Sequence, residues 1–403
     1  MSGAAVQSDR PPTAVEARTF DGIIMFGGED WWYHNRGHYD MQMAHQLTRY
    51  VPVLYVNSIG MRPPSVGTKA QFFKRVSRKL KSLRRGLVTP RDSHAVFSPL
   101  AAPGRLGRFA TRHVMPRQVR RAARKIGITR PLVWVACPPA EPVLDAFDPV
   151  GVVYQRTDRF EDYLGVDREE IAGYDRSLKT RADLTLFCST HLYEAEKGGC
   201  RGALFVDHGV DFDHFAKMAS DPKWEPDDVK GIAHPRVGFV GGIDAVTFDP
   251  PLFVEVARTL SEVQFVLVGS CSLDEGWCDL PNVRLLGQRN YIDVARYMAS
   301  CDVLIMPWND SDWIRACNPV KLKEYLAVRR PVVTTWFDEL ARYEGLVRVA
   351  RGAEEFAAAI RAAIDDPGDV GAGFERVRSE TWIGKREQVR ARLAELGLEG
   401  VRA

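Results

Sequence analysis

The chain has 403 residues, of which 45% are hydrophobic, 27% charged and 10% aromatic. That length exceeds one ordinary core and predicts two domains, while the composition excludes a disordered or collagen-like chain. No run approaches the ~18 consecutive apolar residues of a membrane span, and the net charge of +3 conceals a strong asymmetry.

The first 19 residues lack the apolar centre of a signal peptide and read as a loose tail. Apolar runs predict strands near 22–26, 52–56, 95–98, 132–136, 151–155, 184–188 and 203–207, with helices over 38–49 and 169–181. Between Arg62 and Arg130 stand 19 Lys and Arg against the lone acid Asp92, so this stretch carries +18 and the remainder −15. An acidic body with one basic region implies an anionic partner there. Within the block, Phe72, Val76, Leu80, Leu83 and Leu87 recur at helical spacing. Lys74, Arg75, Arg78, Lys79, Lys81, Arg84 and Arg85 fill the flanks and the opposite face. Such a helix, over 69–88, suits an anionic membrane interface. The alternative is a helix packed on its own domain with a solvated basic face. A second basic helix is expected from Pro116 to Gly127, with Val119, Ala123 and Ile126 inward and Arg117, Arg120, Arg121 and Arg124 outward. Nucleic acid is the rival anion, but no binding motif or interleaved aromatics accompany the charge.

The second half repeats the alternation. Strands are expected near 236–240, 264–269, 283–286, 302–307, 331–335 and 346–349, with helices over 250–260, 291–300, 319–328 and 353–364. Continuous apolar strands alternating with helices mean parallel sheets covered on both faces. The expected fold is therefore α/β, with two doubly wound Rossmann-like domains facing a cleft. Residues 20–208 form the first domain and 209–373 the second, with 209–234 polar and linker-like at the join. An amphipathic stretch over about 374–397, within a segment 374–403, is expected to strap back onto the first domain. Ligands bind beyond the C-terminal ends of such strands, so the cleft is the expected site.

Three strand ends of the second half carry distinctive residues. RVGFVGGID places Gly241 and Gly242 after a strand, where backbone N–H groups can approach a phosphate or merely turn the chain. PNVRLLGQRNYIDVARYMASCDVLIMPW gives a strand, a turn with Arg289, a helix and a further strand. NPVKLKEYLAVRRPVVTT opens a helix at Pro319 with Lys321 and Glu324 in its first turns. The cation and helix N-terminus suit a diphosphate, and the carboxylate suits a ribose diol. A simple surface Lys–Glu pair is the alternative.

Together and in this order, these segments resemble the nucleotide-binding domain of GT-B glycosyltransferases, near bacterial family four and the glucuronosyltransferases of exopolysaccharide assembly. GGEDWWYHNRGHYDMQMAHQL, VLYVNSIGMRPPS, VVYQRTDRFEDYLG, ADLTLFCSTHLYE, VDHGVDFDHF and TWIGKR resemble the family's other segments, so the similarity covers about 20–390. It implies a transferase moving a sugar from a UDP- or GDP-type donor to an acceptor hydroxyl. Gly241, Gly242, Arg289, Tyr291, Asn318, Lys321 and Glu324 would hold that donor. With cations neutralising the leaving diphosphate, neither metal nor other cofactor is implied. Arg36 and His38 would meet the acceptor, and Asp158, just past a strand of the first domain, would be the base of an inverting transfer. Asp158 capping the following segment, or pairing with Arg156 or Arg159, is the alternative. With Phe72, Arg75, Val76, Arg78, Lys79, Leu80, Leu83 and Arg84 on a membrane, the resemblance suggests a peripheral enzyme of the inner membrane face, acting on a lipid-linked or cell-envelope glycan. A soluble enzyme with a small-molecule acceptor, and a non-catalytic binding module, are the other classes. The chain departs from the family at Arg329, at His208 and at Ala316, where a pattern of paired glutamates has its first member.

Overall fold

A computed structural model describes residues 17–33, 38–61, 69–100, 109, 111–163 and 165–401, with backbone alone over 69–76 and at 222. The predicted strands and helices named above form within about three residues of their expected bounds in the described residues, the last amphipathic stretch apart. In the first domain β1 (Arg18–Phe20) precedes β2 (Gly22–Phe26), β3 (Val53–Val56), β4 (Leu87–Arg91), β5 (His94–Phe97), β6 (Pro131–Val135), β7 (Gly151–Arg156), β8 (Leu184–Phe187) and β9 (Ala203–Phe205). Eight of these make one sheet in the order β4-β5-β3-β2-β6-β7-β8-β9, parallel except where β4 runs against β5. The second domain has six parallel strands: β10 (Arg236–Val240), β11 (Gln264–Val268), β12 (Val283–Gly287), β13 (Val303–Met306), β14 (Val332–Thr334) and β15 (Arg348–Val349). Their order is β12-β11-β10-β13-β14-β15.

The strands read as unbroken apolar runs because both faces are covered. In β2, Ile24 and Phe26 enter one core while Ile23 and Met25 enter the core on the other side. In the second domain Val240 and Leu304 take one face, Phe239 and Val303 the other. Strand order reverses beside β2 in the first sheet and beside β10 in the second, and the loops leaving those strands open onto one shared cleft.

Three readings need correction. The stretch 209–234 is more than a linker: it holds a helix, Phe212–Ala219, which buries Phe212, Phe215 and Met218 in the second domain's core. The last amphipathic stretch is two helices. Val370–Arg378 packs on the second domain through Phe374 and Val377. The chain then breaks, Thr381 caps the next helix through its side chain, and Trp382–Glu395 joins the first domain's core with Trp382, Val389 and Leu393. Lastly, Arg18 and Thr19 are strand rather than tail, because β1 pairs in parallel with β16 (Leu398–Gly400) and ties the two ends of the chain together.

The basic helices are both present. Met115–Lys125 buries Val119 and Ala123 and leaves Arg117, Arg120, Arg121 and Arg124 exposed, as the periodicity requires. In Lys69–Arg85 the expected division is only partly followed. Lys79 turns toward the domain, donates to the Ser58 carbonyl at 3.1 Å, and burial lowers its pKa. Arg78 and Arg85 lie over the rings of Tyr33 and Trp32, and buried Ser82 donates to Asp30. Arg84 is exposed, Leu83 is half-buried, and Leu80 is 53% exposed. The side chains of Phe72, Arg75 and Val76, like all of Arg36, lie outside the described residues.

Candidate active site

The cleft encloses about 530 Å³ and takes its walls from both domains. On the second-domain side, β10 ends at Val240 and the chain continues through Gly241 and Gly242. A Cβ at Gly241 would lie 2.5 Å from Lys321 Cε, so the glycine lets the lysine lie across the strand end. A Cβ at Gly269, just past β11, would lie 1.7 Å from the Gly241 carbonyl oxygen. Gly269 and Ser270 therefore belong to the same glycine-lined wall, though sequence reasoning missed them. The signal was available: QFVLVGS is another apolar run ending in glycine.

Lys321 and Glu324 come from the helix Val320–Ala327, and both face the cleft. Glu324 is buried, and burial pushes its carboxyl up to about 7 against the opposing pull of Lys321 and the Tyr291 hydroxyl. Its Oε1 is shielded and has no hydrogen-bond partner among the described residues. An orphaned buried acceptor is costly and fits a donor that arrives with a ligand. Tyr291 opens the helix Tyr291–Ala299 and lines the cleft beside Arg289. Arg289, however, is held by Asp228 at 2.7 Å and by the Tyr297 hydroxyl at 2.8 Å, so its charge is already largely matched. Asn318 does not line the cleft: its Nδ2 donates to the Cys188 carbonyl at 2.7 Å and fastens the second domain to the first.

On the first-domain side Asp158 follows β7 into the cleft. Burial pushes its carboxyl up to about 6, opposed by the Tyr163 hydroxyl, which donates to Oδ2 at 3.1 Å, and by the Arg156 charge. Neither neighbouring arginine forms an ion pair with it among the described residues. Arg156 is fully buried and grips Glu161 with two 2.8 Å bonds, besides Glu196 and Asp175. Arg159 pairs with Asp162. His38 precedes the helix Tyr39–Leu47, makes no side-chain cap bond and lines the cleft. Asp40 accepts from the Gly28 N–H at 2.8 Å and from Tyr55 at 2.7 Å, and so fixes the loop after β2 that forms this wall. Gln155, Thr157, Tyr163 and His208 also line the first-domain wall and were not singled out as site residues.

Beneath the cleft lies an ionic cluster that sequence reasoning also missed. Lys323, fully buried, donates to Asp207 and to Glu380 at 2.8 Å each and to the His208 carbonyl at 2.5 Å. Lys385 joins Asp207 and Glu380, and Arg342 reaches Asp207 at 2.7 Å. The helix Val320–Ala327, the end of the first domain and both crossings between domains meet there.

Residues 234–366 match the family model described as Glycosyl transferases group 1. Bacillus subtilis TuaH, named for teichuronic acid biosynthesis as a glycosyltransferase, is 29% identical over 177 residues. That similarity spans 42% of this chain and 44% of the relative's length. Sucrose-phosphate synthase from Thermosynechococcus elongatus superposes with a TM-score of 0.68 at 15% identity, covering 93% of this chain and 99% of that one. Anabaena HepE in complex with UDP and glucose gives 0.65 at 14%, covering 94% and 100%. The fold is GT-B. In this GT-B chain the matched region contains the glycine-lined strand ends, Lys321 and Glu324, whereas Asp158 stands on the opposite wall.

Proposed function

We propose that the chain transfers a glycosyl group from a nucleoside-diphosphate sugar to an acceptor hydroxyl. The observation that carries this reading is the cleft itself. A desolvated carboxyl of one domain shares the cleft with a glycine-lined strand end, a lysine and a buried carboxyl with one orphaned oxygen from the other. The Gly242 N–H and Lys321 hold the diphosphate, and Glu324 accepts from the ribose hydroxyls; the Gly241 N–H, expected to join them, is instead donated to the Val268 carbonyl at 2.9 Å, so that glycine serves by giving Lys321 room. In an inverting transfer the acceptor oxygen bonds the anomeric carbon as the bond from that carbon to the diphosphate oxygen breaks. The acceptor proton passes to Asp158, and the leaving charge spreads over the Gly242 N–H and the lysine. The similarity to a protein named for teichuronic acid biosynthesis, and to one crystallised with UDP and glucose, supports a UDP-type donor and a cell-envelope acceptor. The test is incubation with a panel of UDP- and GDP-sugars, read by mass spectrometry. Consumption of one donor, absent in Asp158→Asn, is expected. No consumption of any donor would overturn the reading.

The finer proposal is peripheral docking on an anionic cytoplasmic membrane surface, presenting the cleft to a lipid-linked acceptor. Exposed Leu80 (53%), Leu100 (48%) and Phe109 (65%) lie within the +18 stretch and support it. Each cation near an anionic surface contributes ~1 kcal/mol. The inward Lys79 and the stacked Arg78 and Arg85 favour the second reading, a soluble enzyme whose basic helix packs on its own domain. Co-sedimentation with anionic but not neutral vesicles, weakened by salt, is the outcome expected of docking. Equal binding to both lipids, or none, selects the second reading.

A further inference from the structure

His208 stands where the last strand of the first domain has ended and the chain turns toward the second domain. It lines the cleft, yet its Nδ1 is shielded and has no hydrogen-bond partner among the described residues. Nε2 also has no partner among the described residues, but it is not shielded, so it is the nitrogen that opens to the cleft. The ring is held edge-on between Tyr39 and Trp382, with centroids at 5.4 and 6.1 Å. Burial, reinforced by the Lys323 charge, pushes the imidazole down to about 3, so it is neutral at physiological pH. A neutral imidazole carries one proton. With no acceptor beside Nδ1, that proton is useful only on Nε2, which makes the cleft-facing atom a donor.

Its position is tied to the donor wall. Lys323 holds the His208 carbonyl and the Asp207 carboxylate, while Lys321, two residues earlier on the same helix, faces the cleft. The imidazole thus keeps a fixed place relative to the lysine even though His208 enters from the first domain, and Lys321 is close enough to act on its ionisation. A neutral N–H beside a cation matches an anionic oxygen, which neither group repels.

We propose that His208 donates its Nε2 hydrogen to an oxygen of the sugar-proximal phosphate of the bound nucleoside-diphosphate sugar, an inference that rests on the donor reading above. The bond exists before and after transfer, because that phosphate leaves as part of the nucleoside diphosphate.

The experiment is calorimetric titration of the full chain with UDP and GDP, each beside its monophosphate, in which the sugar-proximal phosphate is missing. His208→Ala is expected to weaken diphosphate binding about ten- to a hundredfold and to leave monophosphate binding unchanged, which also reports an intact site. His208→Gln, whose amide nitrogen reaches the place of Nε2, is expected to restore most of the loss. His208→Asn, which reaches only as far as Nδ1, is not. If the unaltered protein binds neither diphosphate, the donor reading falls and this inference with it. If it binds but His208→Ala binds equally well, this inference alone is overturned. So it is if monophosphate binding falls in parallel, or if Asn restores binding as well as Gln does.

Discussion

Two groups of buried carboxylates, in the cleft and at the hinge beneath it, differ in how fully the protein answers their charge. In the cleft, burial pushes Asp158 up to about 6 and Glu324 up to about 7. At the hinge, Lys323 brings Glu380 down to about 2 despite the desolvation it suffers, and Asp207 lies far below the usual carboxylate range with Lys323, Lys385 and Arg342 around it. Burial alone sets neither outcome. The hinge supplies cations in number, while each cleft carboxyl has one hydroxyl and one cation acting on it, Tyr163 and Arg156 for Asp158, Tyr291 and Lys321 for Glu324. A group left uncompensated is poised to meet a ligand or a proton, whereas a compensated one holds structure.

The contrast breaks most sharply at Asp158. Asp158→Asn keeps the shape and removes the proton acceptor, so transfer should fall about 10²- to 10⁴-fold while donor binding, measured by calorimetry, stays nearly intact. A rate within about tenfold of the parent would remove Asp158 from the role of base.

At the hinge the effect should appear in stability instead. Lys323→Met strips a fully buried cation from Asp207 and Glu380. Breaking a buried pair from one side costs about 3–5 kcal/mol, so the denaturation midpoint should drop strongly. The loss should be greater than in Asp158→Asn. A change of less than ~1 kcal/mol would mean that Lys385 and Arg342 suffice without it.

Glu324→Ala and Lys321→Ala should each weaken nucleotide-sugar use by about 1.5–3 kcal/mol, read as kcat/KM, with the fold intact by circular dichroism. Unchanged kinetics in both would move the donor off this helix.

How much of this was legible in the sequence follows from whether a signal is local. Strands buried on both faces announce themselves as apolar runs, so both sheets and their strand ends could be placed, and with them Asp158, Gly241 and Lys321. The ionic cluster could not be placed, because Asp207, Lys323, Glu380 and Lys385 are brought together only by the return of the chain between domains. The pairing of β1 with β16 is equally non-local, and three residues show no period. The helix Phe212–Ala219 escaped because it is short and polar between its inward Phe212, Phe215 and Met218. Periodicity likewise gave the basic helix Lys69–Arg85 without showing that Lys79 finds the Ser58 carbonyl in the loop after β3. The role of His208 had only one trace, its departure from the family pattern, and burial and the orphaned Nδ1 supply the rest.

The smallest expected effects are those of pH, and they separate rate from stability. Asp158 and Glu324 have folded-state values raised above the 3.8 and 4.5 of ordinary carboxyls, so the folded form binds their protons more tightly than the unfolded form does. Their ionisation therefore opposes folding near neutrality, and that opposition is relieved as pH falls through about 7 and about 6. Glu380 has the opposite sign: its contribution is present above 4.5 and is lost as pH falls toward about 2. His208 also opposes the two cleft carboxyls: held down to about 3, it leaves only the unfolded chain to take its proton as pH falls below 6.5. The unliganded protein should thus gain a net of only roughly 1–2 kcal/mol on acidification from neutrality, until the hinge begins to protonate below 4.5 and stability turns down. Transfer should move the other way, declining as Asp158 gains its proton near pH 6. Thermal unfolding and initial rates measured across the same buffers would show this divergence. In Asp158→Asn the stabilisation between neutrality and pH 5 should shrink, leaving the share of Glu324 set against the opposing share of His208. Rate and stability that fall together over that range would mean that the cleft carboxylates are compensated after all, as the hinge carboxylates are.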